Sequence, residues 1–212
     1  VQQMVDLDLD GMIDFVYRTQ YKMKFFRRIQ VFGATQFIAR PEWALMGIDV
    51  GSTAVPFGVD LNGDGHQDLV VGSGSNDLHY YEFQKIAKNG VEYASGVKLT
   101  DKDGIIITTS TNNQYFIPTF LDIDLDGDFD MILGTYDEGL WMYNNTGNST
   151  NPQFQRETVW ALDHACMRTD GSGVFRVYCQ ASVGNFNGDP LLDVFTLLNS
   201  AQNPQMYQHM TS

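Results

Sequence analysis

Four stretches of this chain share one nine-residue frame: DLDLDGMID (6–14), DLNGDGHQD (60–68), DIDLDGDFD (122–130) and NFNGDPLLD (185–193). Positions 1 and 3 are Asp or Asn, positions 5 and 9 are Asp, and position 6 is usually Gly. The frames start at 6, 60, 122 and 185, so the chain is built from units of about 50 to 63 residues. Self-similarity at such a period marks a repeat architecture and outranks any local reading.

The frame itself asks for a cation. Carboxylates crowded into one turn repel each other when ionised. Holding them together unneutralised costs on the order of several kcal/mol. Oxygens at positions 1, 3, 5, 7 and 9 with glycine at 6 are the spacing of a calcium loop. The expected ligands are Asp6, Asp8, Asp10, Met12 and Asp14; Asp60, Asn62, Asp64, His66 and Asp68; and Asp122, Asp124, Asp126, Asp128 and Asp130. Asn185, Asn187, Asp189, Leu191 and Asp193 form a weaker fourth set, with Pro190 in place of glycine. Position 7 contributes its backbone carbonyl, so the His66 imidazole is expected to point to solvent and the Asp128 carboxylate to reach solvent or a water. No Cys or His supplies a side-chain ligand, which disfavours zinc. The bidentate glutamate of a helix-flanked calcium loop is missing: position 12 is Val71 or Leu133, inside an apolar run.

Those runs predict strands. LVVG (69–72), MILG (131–134) and VFTLL (194–198) follow three of the loops, and AVPFGV (54–59), YFIPTFL (115–121) and QASVG (180–184) precede them. FVY (15–17) follows the first loop, before which little room is left for a strand. Further strands are expected at LHYYEF (78–83), LWMYNN (140–145), IIITT (105–109) and VFRVYCQ (174–180). Apart from part of 20–32, no segment has a helical apolar period. YKMKFFRR (21–28) reads more simply as one strand with its turn than as a membrane-surface patch. The predicted fold is all-β: propeller blades of about four antiparallel strands with calcium loops between strands. A β-sandwich with acidic turns and a parallel β-helix are the competing architectures.

Composition agrees with a folded domain and narrows the partners. The chain has 212 residues, 43% hydrophobic and 18% charged, with net charge -13. The four frames hold 14 of the 26 acidic residues, leaving 12 against 13 basic ones. The negative charge is therefore concentrated in the loops. Nothing basic invites nucleic acid, and no apolar run approaches the roughly 18 residues of a membrane span.

FGVDLNGDGHQDLVVG (57–72) and FLDIDLDGDFDMILG (120–134) resemble the FG-GAP or VCBS repeat of integrin alpha-subunit propellers and many secreted or surface proteins. VDLDLDGMIDFVY (5–17) keeps the ligands but not the terminal glycine, and SVGNFNGDPLLDVF (182–195) departs at Asn185 and Pro190. The resemblance implies one blade per repeat in a ring of about seven, with Ca²⁺ at the first three loops. The chain is about half that long, so it reads as part of a larger propeller; a four-bladed ring is the alternative. It starts at Val1 without a leader pattern, which fits a removed signal peptide or an internal fragment.

Two sequons, at Asn144 and Asn148, are candidate glycosylation sites. Cys166 and Cys179 are spaced for a disulfide closing a hairpin or loop, or are two buried thiols. Trp43, Trp141 and Trp160 are expected to pack between blades. His79, His164 and His209 lack a nucleophile motif, and Asp163–His164 lacks a third member. The expected function is a non-catalytic extracellular or cell-surface adhesion or interaction module with a protein or glycan partner. The alternatives are an accessory domain of a secreted polysaccharide-active enzyme and a lectin-like module. Membrane anchoring of the full-length protein stays open.

Overall fold

The computed structural model describes residues 2–18, 23–40, 48, 54–88, 90–108, 115–136, 139–158, 179–184, 193–198 and 205–207. Every regular element among them is a strand. The first sheet holds β1 (Gln2–Val5), β2 (Asp14–Arg18), β3 (Met23–Val31) and β4 (Ala34–Ala39) in that order. The second holds β5 (Val55–Val59), β6 (Asp68–Gly72), β7 (Leu78–Tyr81) and, after a separate hairpin of β8 (Phe83–Ala87) and β9 (Gly90–Tyr93), the short β10 (Val97–Lys98). The third runs β11 (Ile117–Leu121), β12 (Asp130–Gly134), β13 (Leu140–Asn145) and β14 (Phe154–Glu157). The fourth pairs β15 (Cys179–Gly184), β16 (Asp193–Leu198) and β17 (Gln205–Tyr207). All pairings are antiparallel.

The strands after the second and third acidic loops, β6 and β12, are buried on both faces, which explains their unbroken apolar runs. In β6, successive side chains alternate faces. Leu69 and Val71 join Val5, Leu7, Val16 and Phe25 of the first sheet, while Val70 joins Phe116, Met131 and Leu133 of the third. In β12, Ile132 turns the other way, to Ala181 and Val194 of the fourth sheet. The sheets therefore stack in a row, each core shared by two neighbours. First strands lie side by side, β1 with β5, β5 with β11 and β11 with β15. The second and third sheets approach so closely that a Cβ on Gly72 would overlap the Phe116 carbonyl oxygen.

Several expectations are corrected. A first strand, β1, does precede Asp6, paired with β2 from Gln2 to Val5. The strand expected within 21–28 does form, as the nine-residue β3 over 23–31, held by ladders on both sides. The apolar run at 105–109 is not a strand over its described residues. Ile105 and Ile106 are exposed, because Asp101 folds the segment into a turn by accepting the N–H groups of Asp103 and Ile105. Only Ile107 enters the core there. Trp141 is buried beside Phe116, with the Arg156 guanidinium 3.8 Å over its ring. Trp43, Trp160, His164, His209 and Cys166 lie outside the described residues, as does any Cys166–Cys179 bond. No helix among the described residues is long and apolar enough to cross a membrane.

Candidate metal centres in the acidic loops

Each acidic loop joins the first strand of a sheet to the second, and the first three are built alike. The position 1 carboxylate accepts the N–H groups of positions 5 and 6. Asp6 takes those of Asp10 and Gly11 at 3.2 and 2.9 Å. Asp60 takes those of Asp64 and Gly65 at 3.1 and 2.9 Å, and Asp122 those of Asp126 and Gly127, both at 3.1 Å. The position 5 carboxylate accepts the N–H of position 7, at 2.9 Å for Asp10, 2.8 Å for Asp64 and 3.1 Å for Asp126. The backbone wraps around its own carboxylates.

Such a wrap needs left-handed backbone twice. Position 6 supplies glycine, with φ of 83°, 85° and 96° at Gly11, Gly65 and Gly127. Position 4 is also left-handed, at Leu9 (58°), Gly63 (71°) and Leu125 (64°). A leucine there carries strain of roughly 1–2 kcal/mol. Gly63 hints at this in the second loop, but a leucine at position 4 looks like ordinary strand alternation.

Position 9 is the deepest. Asp14, Asp68, Asp130 and Asp193 are each at most 1% exposed. Asp130 accepts the Ile123 N–H at 2.9 Å, inside its loop, and the Asn145 N–H at 2.8 Å, at the end of the third strand. Asp68 repeats this with Leu61 (3.1 Å) and Phe83 (2.8 Å) and adds the Tyr80 hydroxyl at 2.8 Å. Asp14 accepts the Arg28 N–H at 2.8 Å. Position 9 thus ties the loop to a residue 14 or 15 further along. That role was invisible in the sequence, where the residue looked like one more ligand. Burial pushes the carboxyls of Asp14 and Asp130 up to about 6 against these hydrogen bonds, and it raises Asp68 as well.

The expected ligands are gathered only in part. Carboxylate oxygens of Asp6, Asp8 and Asp14 lie within 4.8 Å of one another, as do those of Asp122, Asp124 and Asp130. Asp10 and Asp126 fall outside these trios. In the second loop Asn62 donates to Asp64 at 3.2 Å. Met12 is half-buried. Asn185, Asn187, Asp189 and Leu191 lie outside the described residues.

The position 7 side chains are more enclosed than expected. His66 is half-buried: its ring packs on Phe83 with centroids 4.5 Å apart, and its Nδ1 is buried. Asp128 is 7% exposed. Burial, then Asp126 and Asp124, raise its carboxyl, while a side-chain hydrogen bond from Asn145 opposes them. Position 7 points back at the residue whose N–H anchors position 9, which is Phe83 in one sheet and Asn145 in the other. That geometry turns it away from water.

These donor sets fit a hard divalent cation. They consist of oxygen, they are crowded, and Asp128 Oδ1 is buried without a hydrogen-bond partner. A carboxylate oxygen in that condition lacks a positive neighbour. Of the sequons, Asn148 is exposed at a hairpin tip, where its Oδ1 accepts from Thr150 N–H, Thr150 Oγ1 and Asn151 N–H at 2.9–3.0 Å. Asn144 is half-buried in β13, with its Nδ2 3.5 Å from Asp124.

The frame, the strand that follows it and its return in the next sheet are shared with a known family. Residues 60–133 match the FG-GAP-like repeat. This FG-GAP-like region runs from the second acidic loop to the strand after the third, so it contains one full loop-to-loop unit. Comparison with curated protein sequences returns no match. Among solved structures, the chain is similar to one from the Photorhabdus luminescens Tc holotoxin pore, at 17% identity and a TM-score of 0.46. That alignment covers 98% of this chain and 9% of the other, and at this level it carries no argument about function.

Proposed function

We propose that this chain is a calcium-stabilised repeat module, non-catalytic in itself, that presents a rigid surface to a protein or glycan partner outside the cell. The observation that carries the reading is the third loop. Five aspartates lie within nine residues, three are gathered within 4.8 Å, and Asp128 holds a buried, unpartnered oxygen. Asp122, Asp124, Asp126 and Asp130 would hold the ion with the Asp128 carbonyl, and Asp60, Asn62, Asp64 and Asp68 would do so in the second loop. Bound calcium would supply the charge that lets these loops stay folded between strands. The row of shared cores supports continuation into a larger ring, since each central strand needs a sheet on both sides.

An extracellular setting is part of the same proposal and is supported by the same chemistry. Loops with affinities of about 10⁻⁴–10⁻³ M fill where calcium is abundant. Glycosylation at exposed Asn148 and a Cys166–Cys179 disulfide belong to this proposal. Chelation is expected to lower the melting temperature by several degrees, read by calorimetry. An unchanged melt removes the cation from the proposal. The intact mass of the native protein tests the compartment: a bare chain with two reduced thiols contradicts it.

A further inference from the structure

The first and third acidic loops share a backbone but not a neighbour. The N–H that ties position 9 to the third strand belongs to Arg28, Phe83 or Asn145. The residues before these are Arg27, Glu82 and Asn144, of which Arg27 and Asn144 reach over their loops. In the third sheet Asn144 brings only a neutral amide, 3.5 Å from the position 3 carboxylate of Asp124. In the second, Glu82 is exposed and acidic. In the first, Arg27 reaches the position 3 and position 5 carboxylates together. Its Nε is 2.6 Å from Asp8 Oδ2 and its Nη2 donates to Asp10 Oδ2 at 2.9 Å.

Both carboxylates belong to the expected ligand set, although Asp10 lies outside the gathered trio and Asp14 Oδ2, inside it, is buried without a hydrogen-bond partner. Asp10 uses its other oxygen for the Met12 N–H, and both oxygens of Asp6 take backbone N–H groups. Asp8 is 8% exposed, and its Oδ1 is buried without a hydrogen-bond partner. Arg27 is thus the positive group beside a nearly buried carboxylate. A guanidinium is suited to such a place, being planar, always charged and weakly hydrated. It is also tethered, so it meets the loop at a fixed effective concentration against which free calcium must compete.

We infer that Arg27 is a built-in cation for the first acidic loop, keeping it in the liganded shape without a divalent ion. This rests on the proposed calcium reading for the other loops and makes them unequal: the second and third need the ion, and the first carries its own. The site that the 6–14 frame announces is filled by the protein.

The test counts calcium bound by the intact protein, by equilibrium dialysis and calorimetric titration, in wild type, Arg27→Gln and Arg27→Lys. The expected result is one additional calcium per chain in Arg27→Gln and none in Arg27→Lys, which keeps a tethered charge. An unchanged count in Arg27→Gln, or an equal gain in Arg27→Lys, overturns the inference. Melting separates this role from simple packing. Arg27→Gln is expected to melt lower than wild type in chelator and to recover in calcium; an equal deficit in both overturns it. If Arg27→Gln is unfolded in chelator, calcium should refold it, and failure to refold is again the contrary result. The calcium reading of the third loop fails separately, if Asp122→Asn leaves the wild-type count unchanged, whereas the Arg27 inference depends only on the differences among its own variants.

Discussion

The first and third acidic loops have the same turns, the same wrapped carboxylates and the same buried tie, yet different electrostatics. The third holds five aspartates under a neutral Asn144, and the first holds four under Arg27. The comparison separates two jobs that the frame combines. Shape comes from backbone N–H groups donated to positions 1, 5 and 9. Charge balance comes from whatever overhangs position 3.

The largest expected effect breaks the shape. Asp130→Ala leaves the Ile123 and Asn145 N–H groups buried without acceptors, and about 3 kcal/mol should be lost in urea denaturation. Asp14→Ala should cost a similar amount, but equally in calcium and chelator, whereas the loss at Asp130 grows in calcium. Equal calcium dependence at the two positions collapses the distinction between the loops. Next is a control outside both loops. Gly72→Ala forces the second and third sheets apart at Phe116, and roughly 2 kcal/mol of overpacking is expected, the same in either solution.

Smaller still is a transplant. Asn144→Arg places a tethered charge over Asp124 and should stabilise the chelated protein by about 1 kcal/mol while shrinking its calcium response. No change in that response argues that the overhanging residue does not matter. The smallest effect is on pH. Asp14 and Asp130, pushed up to about 6 by burial, favour the protonated fold. Their contribution is complete below the ordinary aspartate value near 4 and is lost as pH rises through 6. The chelated protein should therefore gain about 0.4 kcal/mol per group between pH 7 and pH 6, visible as a rising melting temperature. With calcium present the sign reverses, because protons compete for the same oxygens.

The repeat was legible because a loop that gathers carboxylates has a fixed spacing, and because a strand covered on both faces shows an unbroken apolar run. LVVG and MILG announced β6 and β12 for that reason. What could not be read depended on partners far along the chain. The tie from Asp130 to Asn145 crosses a hairpin, and Arg27 reaches Asp10 from 17 residues away. Nothing in the local pattern of MKFFRR marks the arginine as a member of the acidic site. The run at 105–107 misled for the opposite reason: it has the composition of a strand, but one aspartate at 101 diverts it into a turn.

The tie at position 9 also governs where this architecture can change length. Every stretch enclosed by it is held nearly constant: the loops span 6–13, 60–67 and 122–129, and the anchoring N–H follows 14 or 15 residues after the aspartate. One residue added inside would turn the strand's apolar face outward. Beyond the anchor the constraint ends. The connection from third to fourth strand is the two residues 32–33 in the first sheet, 146–153 in the third, and in the second a whole extra hairpin, β8–β9. Length differences between the sheets therefore collect just downstream of the anchor, in the connections from third to fourth strand, while the acidic loops keep one span.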